Sequence, residues 1–115
     1  MTARVQPLGG KRWKTAAPVF AALGDETRLG VVQKLADEGP QSISKLTEGT
    51  EVTRQAVTKH LLALEEAGIV KSVREGRERI WTIEKRRLAE AQTYLERISS
   101  QWDDAIDRLR RMVEG

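Results

Sequence analysis

Thr53, Arg54, Gln55, Thr58, Lys59 and His60 place six hydrogen-bonding side chains within eight consecutive positions. Their chemistry is that of recognition. An arginine or lysine donates to guanine O6 and N7, a glutamine amide pairs with adenine, and a threonine meets a thymine methyl or a phosphate. On that basis Arg54 suits a guanine, Gln55 an adenine, Thr58 a thymine methyl or a phosphate, and Lys59 a phosphate. Further along, Arg74, Arg77 and Arg79 surround Gly76. Arginines at a turn suit a sugar-phosphate backbone or a minor groove, where they supply salt-dependent affinity. Arg77 is the best placed, being at the turn itself. Catalytic chemistry is poorly supplied. The chain has no cysteine and one histidine, which removes thiol catalysis, disulfides and thiolate metal sites. A single imidazole is too few ligands for zinc, so His60 reads as a packing or hydrogen-bonding residue. Gly9-Gly10-Lys11 lacks the spacing of a phosphate loop.

These side chains need a helix followed by a hairpin. Thr53 can cap a helix, and Val57, Leu61 and Leu64 recur at spacings of four and three, which makes one apolar face. The polar set then projects from the first turns and the outer side, and Gly68 ends the helix. Ile69 to Arg74 and Arg79 to Ile83 are rich in β-branched and aromatic residues, with Glu75-Gly76-Arg77 between them, which predicts a hairpin. Upstream, Trp13 to Leu23 predicts a short helix with Pro18 in its first turn. Asp25 can cap a second helix, with Leu29, Val32, Leu35 and Ala36 as its buried stripe and Gly39-Pro40 as its stop. Ser42 can cap a short third helix with Ile43 and Leu46 inward. Short helix, helix, turn, helix and hairpin is the winged helix-turn-helix order, whose second helix enters a major groove by its N-terminal residues.

Residues 85–113 carry a different pattern. Leu88, Leu95, Trp102 and Leu109 are seven apart, and so are Ala91, Ile98, Ala105 and Met112. Both seam positions of four heptads are therefore apolar. A helix of that length spans roughly 43 Å, longer than the domain it leaves, and its narrow seam predicts a partner copy. Those eight residues, together with Phe20 of the first helix, form the expected dimer interface. Asp103 and Asp107, with Glu96, form an acidic patch that reads as a solvated face paired with nearby arginines. Trp81 and Trp102 read as core and seam, and Trp13 as a contact near the partner.

The chain has 115 residues and 39% hydrophobic content, enough for one modest core. The division expected is a basic tail over residues 1–12, the winged helix-turn-helix over 13–83, and the dimerisation helix over 84–115. No apolar run approaches the roughly 20 residues a membrane span takes, and the N-terminus has no apolar signal core, which predicts a cytoplasmic protein. Net charge is only +3, but residues 1–24 hold four bases and no acid, and residues 53–83 hold six bases and four acids. Residues 25–52 hold three bases and six acids. A local basic face matters more than the total when the partner is a phosphate polymer.

Three segments together, ALGDETRL at 22–29, TRQAVTKHLLALEEAGIV at 53–70 and REGRERIWTI at 74–83, resemble the ArsR/SmtB family of bacterial winged-helix repressors. The likeness covers Val19 to Ile83 and extends loosely into the last helix. It implies a mainly α fold with a small β-hairpin wing, a homodimer, an imperfect palindrome as the DNA partner, and Arg54, Gln55, Thr58 and Lys59 as the groove-facing positions. Two departures stand out. Glu51 occupies the place where the family usually has a glycine, with Gly49 earlier in the turn. The cysteines of metal-sensing members are absent, as is any histidine on the last helix, so the resemblance implies the cysteine-free, non-metal-sensing type. The expectation is a homodimeric, sequence-specific repressor with no cofactor and no specified effector. The same features allow a second reading, a protein-interaction module in which the long helix docks a heterologous partner.

Overall fold

The computed structural model describes residues 12–114. In chain order these form α1 (Arg12–Leu23), α2 (Glu26–Glu38), β1 (Gln41–Ser42), α3 (Ile43–Thr47), α4 (Arg54–Glu66), β2 (Val70–Glu75), β3 (Glu78–Ile83) and α5 (Lys85–Glu114). The tail expected over residues 1–12 lies outside the described residues, apart from Arg12, where α1 begins.

Three helices start where a short polar side chain satisfies an otherwise unpaired backbone donor. Asp25 accepts from Arg28 N at 2.9 Å, Ser42 from Lys45 N at 3.2 Å and Thr53 from Ala56 N at 3.1 Å. Each cap fixes an entry point that the apolar spacing alone leaves free by a residue or two. The turn between α3 and α4 uses Gly49 at φ 75°, a conformation glycine adopts at no steric cost. Thr50 closes it, its N–H and its hydroxyl both donating to Thr47 O at 3.1 and 3.0 Å. The early glycine therefore makes the turn, and Glu51 is free to follow it.

The three strands make one antiparallel sheet in the order β1-β3-β2. The expected hairpin is thus the larger part of a three-stranded sheet. β1 leaves no mark in the sequence pattern, because its two residues carry no periodicity. The hairpin turn is also tighter than expected: Glu75 pairs with Glu78, leaving only Gly76 and Arg77 in the loop. Trp81 sits on the central strand opposite Gln41 on one side and Ser72 on the other.

The core is built from one face of each element. Val19, Val31, Leu35, Leu46, Val57, Leu61, Leu64, Ile69, Val70, Trp81 and Ala91 form a contiguous cluster. The α4 stripe is buried as the sequence predicted. The α2 stripe is buried only in part. Leu35 is buried and Val32 packs partly buried against the core, joined by Val31, whereas Leu29 is 51% exposed and Ala36 is exposed. Leu29 and Val31 lie about 200° apart around a helix, so burying one turns the other outward. Pro18 is also misplaced by the sequence reading. It is the seventh residue of α1, since the helix begins at Arg12. It lies on the exposed side with Lys14, whose carbonyl loses its helical partner there because proline has no N–H.

Gly68 ends α4 at φ 79° and lies against α5. A Cβ on it would stand 2.6 Å from Arg87 Cγ. This close approach brings the start of α5 back onto the core, where Ala91 is 4% exposed and Leu88 is partly buried. α5 packs chiefly on α1, and the Phe20 and Tyr94 rings lie 6.4 Å apart at 50°. Beyond Tyr94 the helix leaves the core, and only Ala105 and Ile106 are less than exposed. No helix among the described residues is long and apolar enough to cross a membrane.

Candidate nucleic-acid interface

The α4 helix separates its two functions by angle. Val57, Leu61 and Leu64 face the core, while Thr53, Arg54, Gln55, Ala56, Thr58 and Lys59 line one open concavity at its N-terminal end. Its other end is acidic, with Glu65 partly covered and Glu66 exposed. Charge along the rod therefore changes sign, and only the first two turns suit a phosphate-lined groove about 12 Å wide. Leu62 continues the outer face and is half exposed.

Of the six predicted contacts, Gln55 and Lys59 are exposed. Arg54 is exposed too, but Nη1 donates to Ser44 Oγ of α3 at 2.7 Å. The Thr58 hydroxyl donates to Arg54 O at 2.7 Å, which leaves it only its lone pairs and methyl for a partner. His60 points to α2 rather than to the concavity. Its Nδ1 lies 3.5 Å from Arg28 Nη1 and 3.9 Å from Asp25 Oδ2.

Arg28 and Asp25 are functional-site neighbours that the sequence reading did not connect to α4. Arg28 Nε donates to Ala22 O at 2.6 Å. Arg28 thus ties three elements: its guanidinium joins the end of α1 to the flank of α4, and its backbone N–H holds the Asp25 cap of α2. Asp25 is the hinge of this group. The Arg28 backbone N–H donating to it holds its carboxyl below the usual value of 3.8, and the Arg28 charge adds to the effect. A carboxyl lowered on folding stabilises the fold above its unfolded value, and that contribution disappears as pH falls through the folded value. Asp25→Asn keeps a capping oxygen and loses the charge. Its urea midpoint should lie below that of the unsubstituted protein at neutral pH, and the gap should close below pH 3.8. A gap of constant size down to pH 2.5 would refute the charge contribution.

The wing sorts its charges by strand register. Val70 faces Ile83, Ser72 faces Trp81 and Arg74 faces Arg79 along one side. Lys71–Thr82, Val73–Ile80 and Glu75–Glu78 occupy the other. This register gives the tip a basic face and an acidic face, with Arg77 in the loop between them, although directly opposed like charges repel. Only the face holding Arg74 and Arg79 is compatible with a polyanion. Arg79 is also the more restrained of the two, its Cζ 5.9 Å from the Trp81 ring centroid, within cation–π range.

The predicted interface residues divide between two environments. Ala91 and Leu88 are covered by the protomer's own α1 and core, and Phe20 is partly buried against Tyr94. Leu95, Ile98, Trp102, Leu109 and Met112 remain exposed, Trp102 at 66% and Met112 at 79%. Ala105 lies among them, half covered. The acidic patch of α5 is a solvated one: Asp107 lies 3.9 Å from Arg110. Among the described residues no group of three carboxylates or imidazoles is arranged to hold a metal.

The same architecture occurs in known proteins. A helix-turn-helix domain family model matches residues 23–73. The HTH-type transcriptional regulator Rv2034 of Mycobacterium tuberculosis is 31% identical over 96 residues, spanning 84% of this chain and 86% of that protein. Among solved structures, an ArsR-like transcriptional regulator from Rhodococcus sp. RHA1 superposes with a TM-score of 0.77 at 38% identity, covering 87% of this chain and 93% of that one. The chain belongs to the ArsR-like family of winged helix-turn-helix transcriptional regulators. That family is one of regulators, not of enzymes. An ArsR-like fold is shared even at 21% identity with a Mycobacterium bovis domain described as homodimeric, at a TM-score of 0.64 over 88% of this chain. Within this family frame, α3 and α4 are the helix-turn-helix, β2 and β3 the wing, and α5 the long closing helix.

Proposed function

We propose that this ArsR-like regulator is a homodimeric repressor that binds a pseudo-palindromic operator. The observation that carries the reading is the α4 concavity, with its exposed Gln55 and Lys59 beside a wing whose basic face holds Arg74 and Arg79. Two copies related by a two-fold axis would place two α4 helices in successive major grooves, with half-site centres about 10 bp or a multiple apart. The exposed α5 stripe supports a homodimer in this chain, as does the homodimeric state given for the M. bovis relative in fold. Operator occupancy would then exclude polymerase. The cytoplasm is the matching compartment.

The test is selection of duplexes from a randomised pool by the full chain. Enriched sequences should be two-fold symmetric, and binding should weaken steeply with salt. Enrichment of nothing, or binding indifferent to salt, sinks the reading. Gln55→Ala should then cost about 1–3 kcal/mol on the enriched duplex and relax preference at one base position per half-site. An unaltered preference profile would remove Gln55 from the readers. The same α5 stripe also favours a second reading, in which it docks a heterologous partner. That version predicts a monomer in isolation, which sedimentation decides.

A further inference from the structure

We infer that Ser44 and Arg54 together grip one phosphate of the DNA backbone, so that Arg54 sets register and does not read a base. The inference rests on the proposed DNA-binding function and redistributes the work within it. Its starting point is the 2.7 Å bond from Arg54 Nη1 to Ser44 Oγ, which joins the first residue of α4 to α3 across the turn. In a helix-turn-helix the helix preceding the reading helix crosses the backbone, while the reading helix enters the groove. A guanidinium tied to α3 is therefore held on the backbone side. Reaching a guanine edge would require breaking this bond and releasing the side chain.

The chemistry of the pair fits a phosphodiester. A serine hydroxyl has one donor and two acceptor lone pairs. Having accepted from Arg54, it keeps its proton for an anion, and the adjacent cation makes that proton a better donor. The guanidinium has five N–H donors, of which this bond takes one. A phosphate offers two non-bridging oxygens, one for each member. The cation is also uncompensated: among the described residues no carboxylate pairs with Arg54, and the partner it has is neutral. Both side chains are exposed, so the pair is open to a ligand. Holding the guanidinium in advance removes part of the ordering cost of a long side chain on binding. Base reading then falls first to Gln55, which is exposed and carries no such tether.

The experiment uses the full chain, the duplex it enriches from a randomised pool, and a shuffled duplex of the same composition. Arg54→Ala should weaken both duplexes alike, by roughly three- to tenfold per subunit, and lower the salt slope by about 0.9 per subunit. The enriched-to-shuffled ratio should stay within twofold, and a repeat selection should return the same base preferences. Ser44→Ala should act in the same direction with a smaller loss. Ser44→Asp neutralises Arg54 and repels the phosphate, so it should weaken both duplexes at least tenfold. A tenfold collapse of the ratio in Arg54→Ala, or a lost base preference, makes Arg54 a base reader and overturns the clamp alone. Full affinity in Ser44→Asp overturns it as well. If the unsubstituted chain binds no duplex in a salt-sensitive way, the repressor reading falls, and the clamp with it.

Discussion

Leu95→Arg is expected to sediment as a monomer and to bind the selected duplex ~100- to 10,000-fold more weakly than the unsubstituted chain, the range set by losing one of two linked contacts. Leu95 is half exposed on α5 and belongs to a stripe with Ile98, Trp102, Leu109 and Met112. In the proposed two-fold interface every substitution appears twice. Two guanidiniums would then be buried without partners in an apolar seam, which costs several kcal/mol per charge. The protomer does not depend on this position, because its core is closed by Ala91 and Leu88 one and two turns earlier. Helix content and melting of the monomer should therefore stay near normal. An unchanged dimer in sedimentation would move the interface elsewhere on the chain. A monomer that still binds the duplex at full strength would separate DNA recognition from dimerisation.

Trp81→Ala should remove about 3–5 kcal/mol of stability, as is usual for truncating a buried aromatic. That is a large share of the roughly 5–15 kcal/mol available to a domain. Trp81 is 1% exposed on the central strand, with β1 on one side and β2 on the other. It also underlies Arg79 of the wing. The substitution should consequently loosen the wing before it melts the helices, and duplex affinity should fall at temperatures where circular dichroism still reports folded helices. Trp81→Phe makes the sharper test. The indole Nε1 is buried with no hydrogen-bond partner among the described residues, so deleting it leaves no orphan behind. Phenylalanine keeps an aromatic ring but leaves part of the indole volume empty, so it should cost about 1–3 kcal/mol, less than alanine. A loss equal to that of alanine in denaturant titration would mean that the N–H is paired in solution.

The core of α4 was legible because its spacing of four and three is strict and its outer face is polar. The α2 stripe was legible only at Val32 and Leu35, because Leu29, Val31, Val32 and Leu35 supply more apolar positions than one face can bury. Tertiary packing selected Val31 and Leu35 and left Leu29 in water. Pro18 was misread since its favoured place at a helix start competes with a helix that begins earlier and exposes its unmet carbonyl. β1 is invisible to any periodicity, and it exists because β3 offers it an edge.

The sequence by itself determined the family, the order of the helices and the hairpin, the caps at Asp25, Ser42 and Thr53, and the set of polar residues at the head of α4. Those are local matters: a capping oxygen reaches three residues ahead, and an apolar stripe repeats along one helix. Only the tertiary structure decided how that polar set is divided. It turned His60 toward Arg28 and Asp25, tethered Arg54 to Ser44, and left Gln55 and Lys59 open. It also placed Arg74 and Arg79 on one face of the wing and Glu75 and Glu78 on the other, and split the heptads into a covered start and an exposed remainder. Each of these depends on residues from different elements meeting in space, and no spacing along a single helix or strand encodes which neighbour a side chain will find.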